Sequence, residues 1–162
     1  MKFFDRIFKP AEEIVGAPVA GKVVPVSEVN DPTFSEGIVG QGIAILPTGN
    51  AVVAPCDAVV DVMFETGHAV SITTAFGAEV LIHVGLETVK LAGRHFTVHV
   101  KKGDRVKAGQ LMIEFDREAI AAEGYDTITP VVICNAEEFG KLTTTTGRVA
   151  AVGDRIIGLQ KK

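Results

Sequence analysis

Two histidines carry the most specific chemistry that this sequence offers. His68 lies in Phe64-Glu65-Thr66-Gly67-His68-Ala69-Val70-Ser71-Ile72-Thr73, and His83 in Ala78-Glu79-Val80-Leu81-Ile82-His83-Val84-Gly85. Both stretches read as strands, and Thr74-Ala75-Phe76-Gly77 between them reads as a hairpin turn. If Thr74 pairs with Gly77 across a two-residue loop, His68 falls directly opposite His83 and Thr66 opposite Gly85. Val70 and Leu81 would then continue the same face. Directly opposed residues hold their Cβ atoms about 4.5–5.5 Å apart, close enough for two imidazoles to share one small ligand.

A neutral imidazole has a pKa of about 6.5, so near pH 7 one ring nitrogen is free to act as a nucleophile. The same pair could ligate zinc, but zinc takes three or four protein ligands. The nearby candidates are Glu65, Glu79 and Glu87, with no HxxEH or HxH spacing. His68 and His83 are therefore zinc ligands only if a partner completes the set, and no resident metal is expected. Ser-His-Asp hydrolysis has no nucleophile elbow to support it. His95 and His99 sit among polar and charged neighbours and read as surface residues. Cys56 and Cys134 are far apart and form no CxxC, which suits two buried thiols in a reducing cytoplasm.

The elements that must position the histidines are mostly short strands. The chain has 162 residues, 47% of them hydrophobic, enough for one domain with a sizeable core. Apolar runs at Lys22–Val26, Gly42–Leu46, Ala58–Phe64, Ala69–Thr73, Val80–Val84, Phe96–Val100, Leu111–Phe115, Val131–Cys134 and Arg155–Leu159 are broken by Gly, Pro and Asp. Arg117–Glu123, after Asp116 as N-cap, reads as a helix, and Glu137–Lys141 as a single turn. The pattern predicts an all-β fold, an antiparallel β-sandwich or barrel with Greek-key connections and one or two short helices.

Composition narrows the function further. A formal net charge of -4 with no basic block argues against nucleic acid as a partner. No apolar run approaches the roughly 18 residues of a membrane span. Residues 1–16 read as a leader, and 17–162 as the single domain. Within the leader, residues 1–9 could form an amphipathic helix with Phe4, Ile7 and Phe8 on one face, able to touch anionic lipid weakly. The turn motif in Lys102-Gly103-Asp104-Arg105-Val106-Lys107-Ala108-Gly109-Gln110-Leu111, echoed at Ala151–Ile156, is of a kind found in biotinyl and lipoyl carriers and in some zinc peptidases. No lysine sits in a Met-Lys-Met or Asp-Lys-Ala context, so neither carrier is expected and no cofactor is predicted. A zinc-dependent peptidase-like protein using the histidine pair remains the alternative.

Several stretches together resemble one family. They are Ala17-Pro18-Val19-Ala20-Gly21, Asp31-Pro32-Thr33-Phe34-Ser35-Glu36, Gly42-Ile43-Ala44-Ile45-Leu46-Pro47, Phe64–Ala69, Val80–Val89, Gly103-Asp104-Arg105-Val106 and Thr129-Pro130-Val131-Val132. They resemble the glucose-type enzyme IIA domain of the bacterial phosphoenolpyruvate-dependent sugar phosphotransferase system, a cytoplasmic phosphocarrier. The resemblance implies that His83 accepts a phosphoryl group on Nε2 from phospho-HPr and passes it to a cysteine of a IIB domain during sugar uptake. It implies that His68 stabilises the phosphoryl oxygens, that Thr66 orients His68, and that the Gly85 carbonyl holds the His83 tautomer. It assigns Phe34, Ile38, Phe64, Leu81 and Val89 to an apolar docking face, with Asp31 and Glu87 as rim acids. Regulation of permeases or kinases is a further implied role. Gln41 and Glu87 depart from the family pattern, in which aspartate is common at both places.

Overall fold

The computed structural model describes residues 11–162. The amphipathic reading of residues 1–9 lies outside the described residues. Strands β1 (Glu12–Gly16), β2 (Gly21–Pro25), β3 (Gln41–Pro47), β4 (Ala51–Val53), β5 (Ala58–Met63), β6 (Ala69–Thr74) and β7 (Glu79–His83) form the first half. The second half holds β8 (Phe96–Val98), β9 (Arg105–Val106), β10 (Leu111–Phe115), β11 (Thr129–Ile133), β12 (Phe139–Thr144), β13 (Arg148–Ala150) and β14 (Arg155–Lys161). Every pairing is antiparallel, and an eight-stranded sheet in the order β13-β2-β3-β11-β7-β6-β5-β9 is flanked by sheets β1-β14-β12 and β4-β10-β8. The insertion of β11 between β3 and β7 requires the chain to return across the sheet, giving the Greek-key sandwich that short strands and tight turns predict.

The last five residues of the expected leader are β1, which pairs with β14 from Glu12↔Gln160 to Gly16↔Arg155. The helix after Asp116 forms at Arg117–Ala122, with the Asp116 carboxylate accepting from Ala119 N at 3.0 Å. The expected turn at Glu137–Lys141 is shorter: Ala136–Glu138 makes one 3-10 turn, and β12 already begins at Phe139. Cys56 and Cys134 are half-buried free thiols rather than fully buried ones. Burial pushes the Cys56 thiol up to about 12, with the Glu13 and Asp57 charges adding to the effect.

Alternation along the strands divides the large sheet into two faces. Val23, Ile43, Ile45, Val70, Ile72, Val80, Ile82, Val131 and Ile133 point inward and are essentially solvent-free. Each such side chain contributes about 1.5–3 kcal/mol through burial. The opposite face carries Val24, Ala44 and Leu81, covered by a segment containing the 3-10 turn Val26–Glu28 and helix α1 (Pro32–Ser35). Asp31 starts α1 by accepting from Thr33 N at 3.0 Å, and Pro32 occupies the first helical position, where a missing N–H costs nothing. This second apolar layer places Phe34 over the end of β7.

Close strand approach makes Gly42 necessary on β3. It pairs with Val132 of β11, and a Cβ at this position would lie 2.1 Å from the Val131 carbonyl oxygen. Gly42→Ala should therefore destabilise the fold by roughly 2–4 kcal/mol. The measurement is urea unfolding: the midpoint should fall with the slope unchanged, and an unchanged midpoint would show that the sheet yields freely there.

Candidate active site at the end of β7

The β6–β7 hairpin holds the two histidines together in a register different from the one expected. Thr74 N donates to Ala78 O at 2.9 Å and Gly77 N to Thr74 O at 2.9 Å, closing a three-residue loop with Gly77 at φ 91°. The extra loop residue shifts the pairing by one, so His83 lies opposite Ala69, Val70 opposite Ile82 and Leu81 opposite Ser71. Val70 is thus a core residue, while Leu81 shares the outer face with His83. Thr66 does not pair with Gly85.

The histidines still meet, because His68 is not in the strand. Phe64-Glu65-Thr66-Gly67 forms a turn in which Gly67 N donates to Phe64 O at 2.8 Å and Gly67 adopts φ 71°. His68 follows that turn, its carbonyl accepting from Val84 N at 2.7 Å. Its ring packs edge-on against His83, with centroids 4.9 Å apart and planes at 81°. Phe64 packs on the far side of His68 and Phe34 on His83, each with centroids 5.2 Å apart.

Hydrogen bonds distinguish the two rings. The Gly85 carbonyl is an acceptor only, so His83 Nδ1 carries a proton and donates it across 2.7 Å. His83 Nε2 is left with a lone pair. His68 Nδ1 is hydrogen-bonded to the Thr66 hydroxyl. When Thr66 donates, His68 carries its proton on Nε2, and the pair offers one lone pair beside one N–H.

Burial keeps both rings neutral at pH 7. His68 is 3% exposed, and desolvation, reinforced by the neighbouring His83, lowers its pKa to about 4. Desolvation also lowers the His83 pKa, while the Gly85 carbonyl and the Asp31 charge act in the opposite direction. Among the described residues, no group of three or more His, Cys, Asp or Glu side chains is arranged to hold a metal ion.

Of the expected docking residues, Ile38, Phe64 and Val89 are exposed at 69%, 39% and 52%. Phe34, by contrast, is 4% exposed, because α1 turns it into the second apolar layer, and its ring meets the site through His83. Leu81 is half-buried in the same layer. Asp31 and Glu87 line a cleft of about 500 Å³ together with Asn30, Leu86, Tyr125 and Asp126. Glu87 also pairs with Lys90 at 3.3 Å. Sequence reasoning missed the Phe34–His83 contact and the backbone partner of the site, Asp126, whose carbonyl accepts from Leu86 N at 3.0 Å. No local signal links Asp126 to Leu86 across 40 positions of chain. His95 and His99 stand apart from the pair, bonded to Glu123 and Glu114 respectively.

Comparisons with known proteins identify the family and the fold. A family described as phosphoenolpyruvate-dependent sugar phosphotransferase system, EIIA 1, matches residues 13–139. The glucose-specific EIIA component of Bacillus cereus is 44% identical over 152 residues, covering 94% of this chain and 92% of that protein. The beta-glucoside-specific EIIBCA component of Dickeya chrysanthemi is 48% identical over 141 residues, and there the chain spans only 22% of the relative's length. The glucose permease IIA of Mycoplasma capricolum superposes with a TM-score of 0.84 at 30% identity, over 98% of this chain and 99% of that one.

The depressed His68 pKa has a signed consequence for stability. Between about 4 and 6.5 the unfolded chain binds a proton that the folded ring refuses, so stability is full above pH 6.5 and falls as pH drops toward 4. The loss attributable to His68 is up to about 3 kcal/mol. Denaturant unfolding at pH 7 and pH 4 should show a smaller drop for His68→Gln than for the unmodified protein. Equal drops would contradict the burial argument.

Proposed function

The chain belongs to the EIIA family of the phosphoenolpyruvate-dependent sugar phosphotransferase system, and on that premise we propose that His83 Nε2 carries a phosphoryl group between two protein partners. The carrying observation is the Nδ1–H···O=C bond from His83 to Gly85, which leaves Nε2 as the only nitrogen able to attack. In the first transfer, a bond forms between His83 Nε2 and phosphorus as the P–N bond of phospho-HPr breaks. In the second, the thiolate of a IIB cysteine attacks phosphorus and His83 Nε2 leaves. The names of relatives that join EIIB and EIIA components in one polypeptide favour a IIB acceptor.

His68 acts as the hydrogen-bond donor. With Thr66 donating to Nδ1, the His68 Nε2–H faces the phosphoryl oxygens at His83, where a fixed donor stabilises charge in transit. Phosphoryl transfer depends chiefly on positioning and on neutralising equatorial oxygens. Two neutral rings suit a carrier, because an arginine-lined pocket would retain the group instead of releasing it.

For docking, Ile38, Phe64 and Val89 supply exposed apolar surface, Phe64 directly beside His68, with Asp31 and Glu87 as acids for a basic rim on HPr. On this reading the domain works in the cytoplasm. Phosphorylation of His83 also adds negative charge at the centre of that face, which gives a physical basis for regulating permeases or kinases. The peptidase alternative is left without support by the family membership.

Incubation with labelled phosphoenolpyruvate, enzyme I and HPr should label the unmodified protein and leave His83→Ala unlabelled. His68→Gln should accept label yet pass it to a IIB domain at least 100-fold more slowly, as expected for loss of a donor to a developing oxyanion. Full labelling of His83→Ala would overturn the assignment.

A further inference from the structure

The Gly85 carbonyl can hold the His83 proton only if its own peptide plane is held. One anchor holds that plane directly, and a second holds the peptide before it. Leu86 N donates to Asp126 O at 3.0 Å, and Leu86 N–H belongs to the same planar peptide as the Gly85 carbonyl. Fixing the N–H toward Asp126 therefore directs the carbonyl the other way, toward His83. The preceding peptide joins the Val84 carbonyl to Gly85 N, and the Thr88 hydroxyl donates to that Val84 carbonyl at 2.5 Å.

Thr88 is fully buried and opens the 3-10 turn Thr88–Leu91. Its methyl group also crowds Gly85: a Cβ there would lie 2.6 Å from Thr88 Cγ2 and 2.8 Å from Asp126 O. Gly85 adopts φ 76° and Glu87 φ 59°, so the chain makes two left-handed steps between His83 and the helical turn. Such a path needs external restraint, since left-handed backbone is unfavourable for a residue with a side chain.

We propose that Thr88 is a positioning residue for phosphoryl transfer: through the Val84 carbonyl it holds the Val84–Gly85 peptide, restrains the turn at Gly85 from which the next carbonyl is aimed at His83, and so helps fix which nitrogen of His83 is free. This rests on the phosphocarrier reading for its consequence in catalysis, but not for its structural content. Thr88 does not touch the reacting atoms.

The test separates the hydroxyl from the space it fills. Thr88→Ser and Thr88→Ala differ in the hydroxyl alone, and Thr88→Val keeps the shape while losing the donor. Nitrogen-15 NMR of the His83 imidazole reads the tautomer without any transfer partner. The unmodified protein and Thr88→Ser should show His83 protonated on Nδ1 alone, whereas Thr88→Ala and Thr88→Val should show a mixture of tautomers. Phosphoryl acceptance from phospho-HPr should fall about 10-fold or more for Ala and Val and stay within about 2-fold for Ser. If Thr88→Val does not fold, the Ser and Ala pair decides the question.

A single Nδ1–H tautomer in Thr88→Ala would overturn the proposal, even with transfer slowed in step with lost stability. A mixed tautomer in Thr88→Ala with no labelling of the unmodified protein would instead spare the clamp and sink the phosphocarrier reading.

Discussion

The arrangement depends on one hydrogen bond, from His83 Nδ1 to the Gly85 carbonyl. Without it, an imidazole buried against Phe34 and His68 could carry its proton on either nitrogen, and the exposed one would be a nucleophile only part of the time. The bond also opposes the desolvation that lowers the His83 pKa. Burial outweighs the carbonyl in setting the charge of the ring, and only the carbonyl sets its tautomer. The first keeps it neutral, and the second decides where its lone pair lies.

The fold is organised to deliver that bond. β7 is held between β6 and β11, and its inward residues Val80 and Ile82 lock the strand into the core. His83 is the last residue of the strand, half-buried on the outer face, where Phe34 of the second apolar layer packs on its ring. The chain then leaves the sheet through Gly85, whose left-handed conformation a glycine adopts at little cost. His68 is supplied from the neighbouring strand's entry turn, and Thr66 from within that turn. Two rings of the same chemistry are thereby given different partners, a carbonyl that only accepts and a hydroxyl that can donate.

Much of this was legible in the sequence. The β-class, most strands of the core, the Asp116 cap and the proximity of His68 to His83 follow from apolar runs, turn residues and hairpin pairing. The register does not, because Gly77 can end either a two- or a three-residue loop, and the choice rests on backbone and hydroxyl bonds at Thr74. The error left the main contact intact only because His68 sits in a bend, outside the strand alternation. Short or polar strands such as β4, β9, β12 and β13 carry too little periodicity to be read alone. Phe34 entered the docking face through the family resemblance, and the four-residue helix that carries it has no apolar stripe from which burial can be read. Its burial is decided by a sheet face assembled from distant segments.

The central claim is that His83 reacts through Nε2 because Gly85 occupies Nδ1. The most direct measurement is phosphorus-31 and nitrogen-15 NMR of the phosphorylated protein, with the imidazole nitrogens labelled. A single phosphohistidine is expected, with phosphorus coupled to Nε2 of His83 and the Nδ1 proton retained. Phosphorus bonded to Nδ1 of His83, or to either nitrogen of His68, would contradict it.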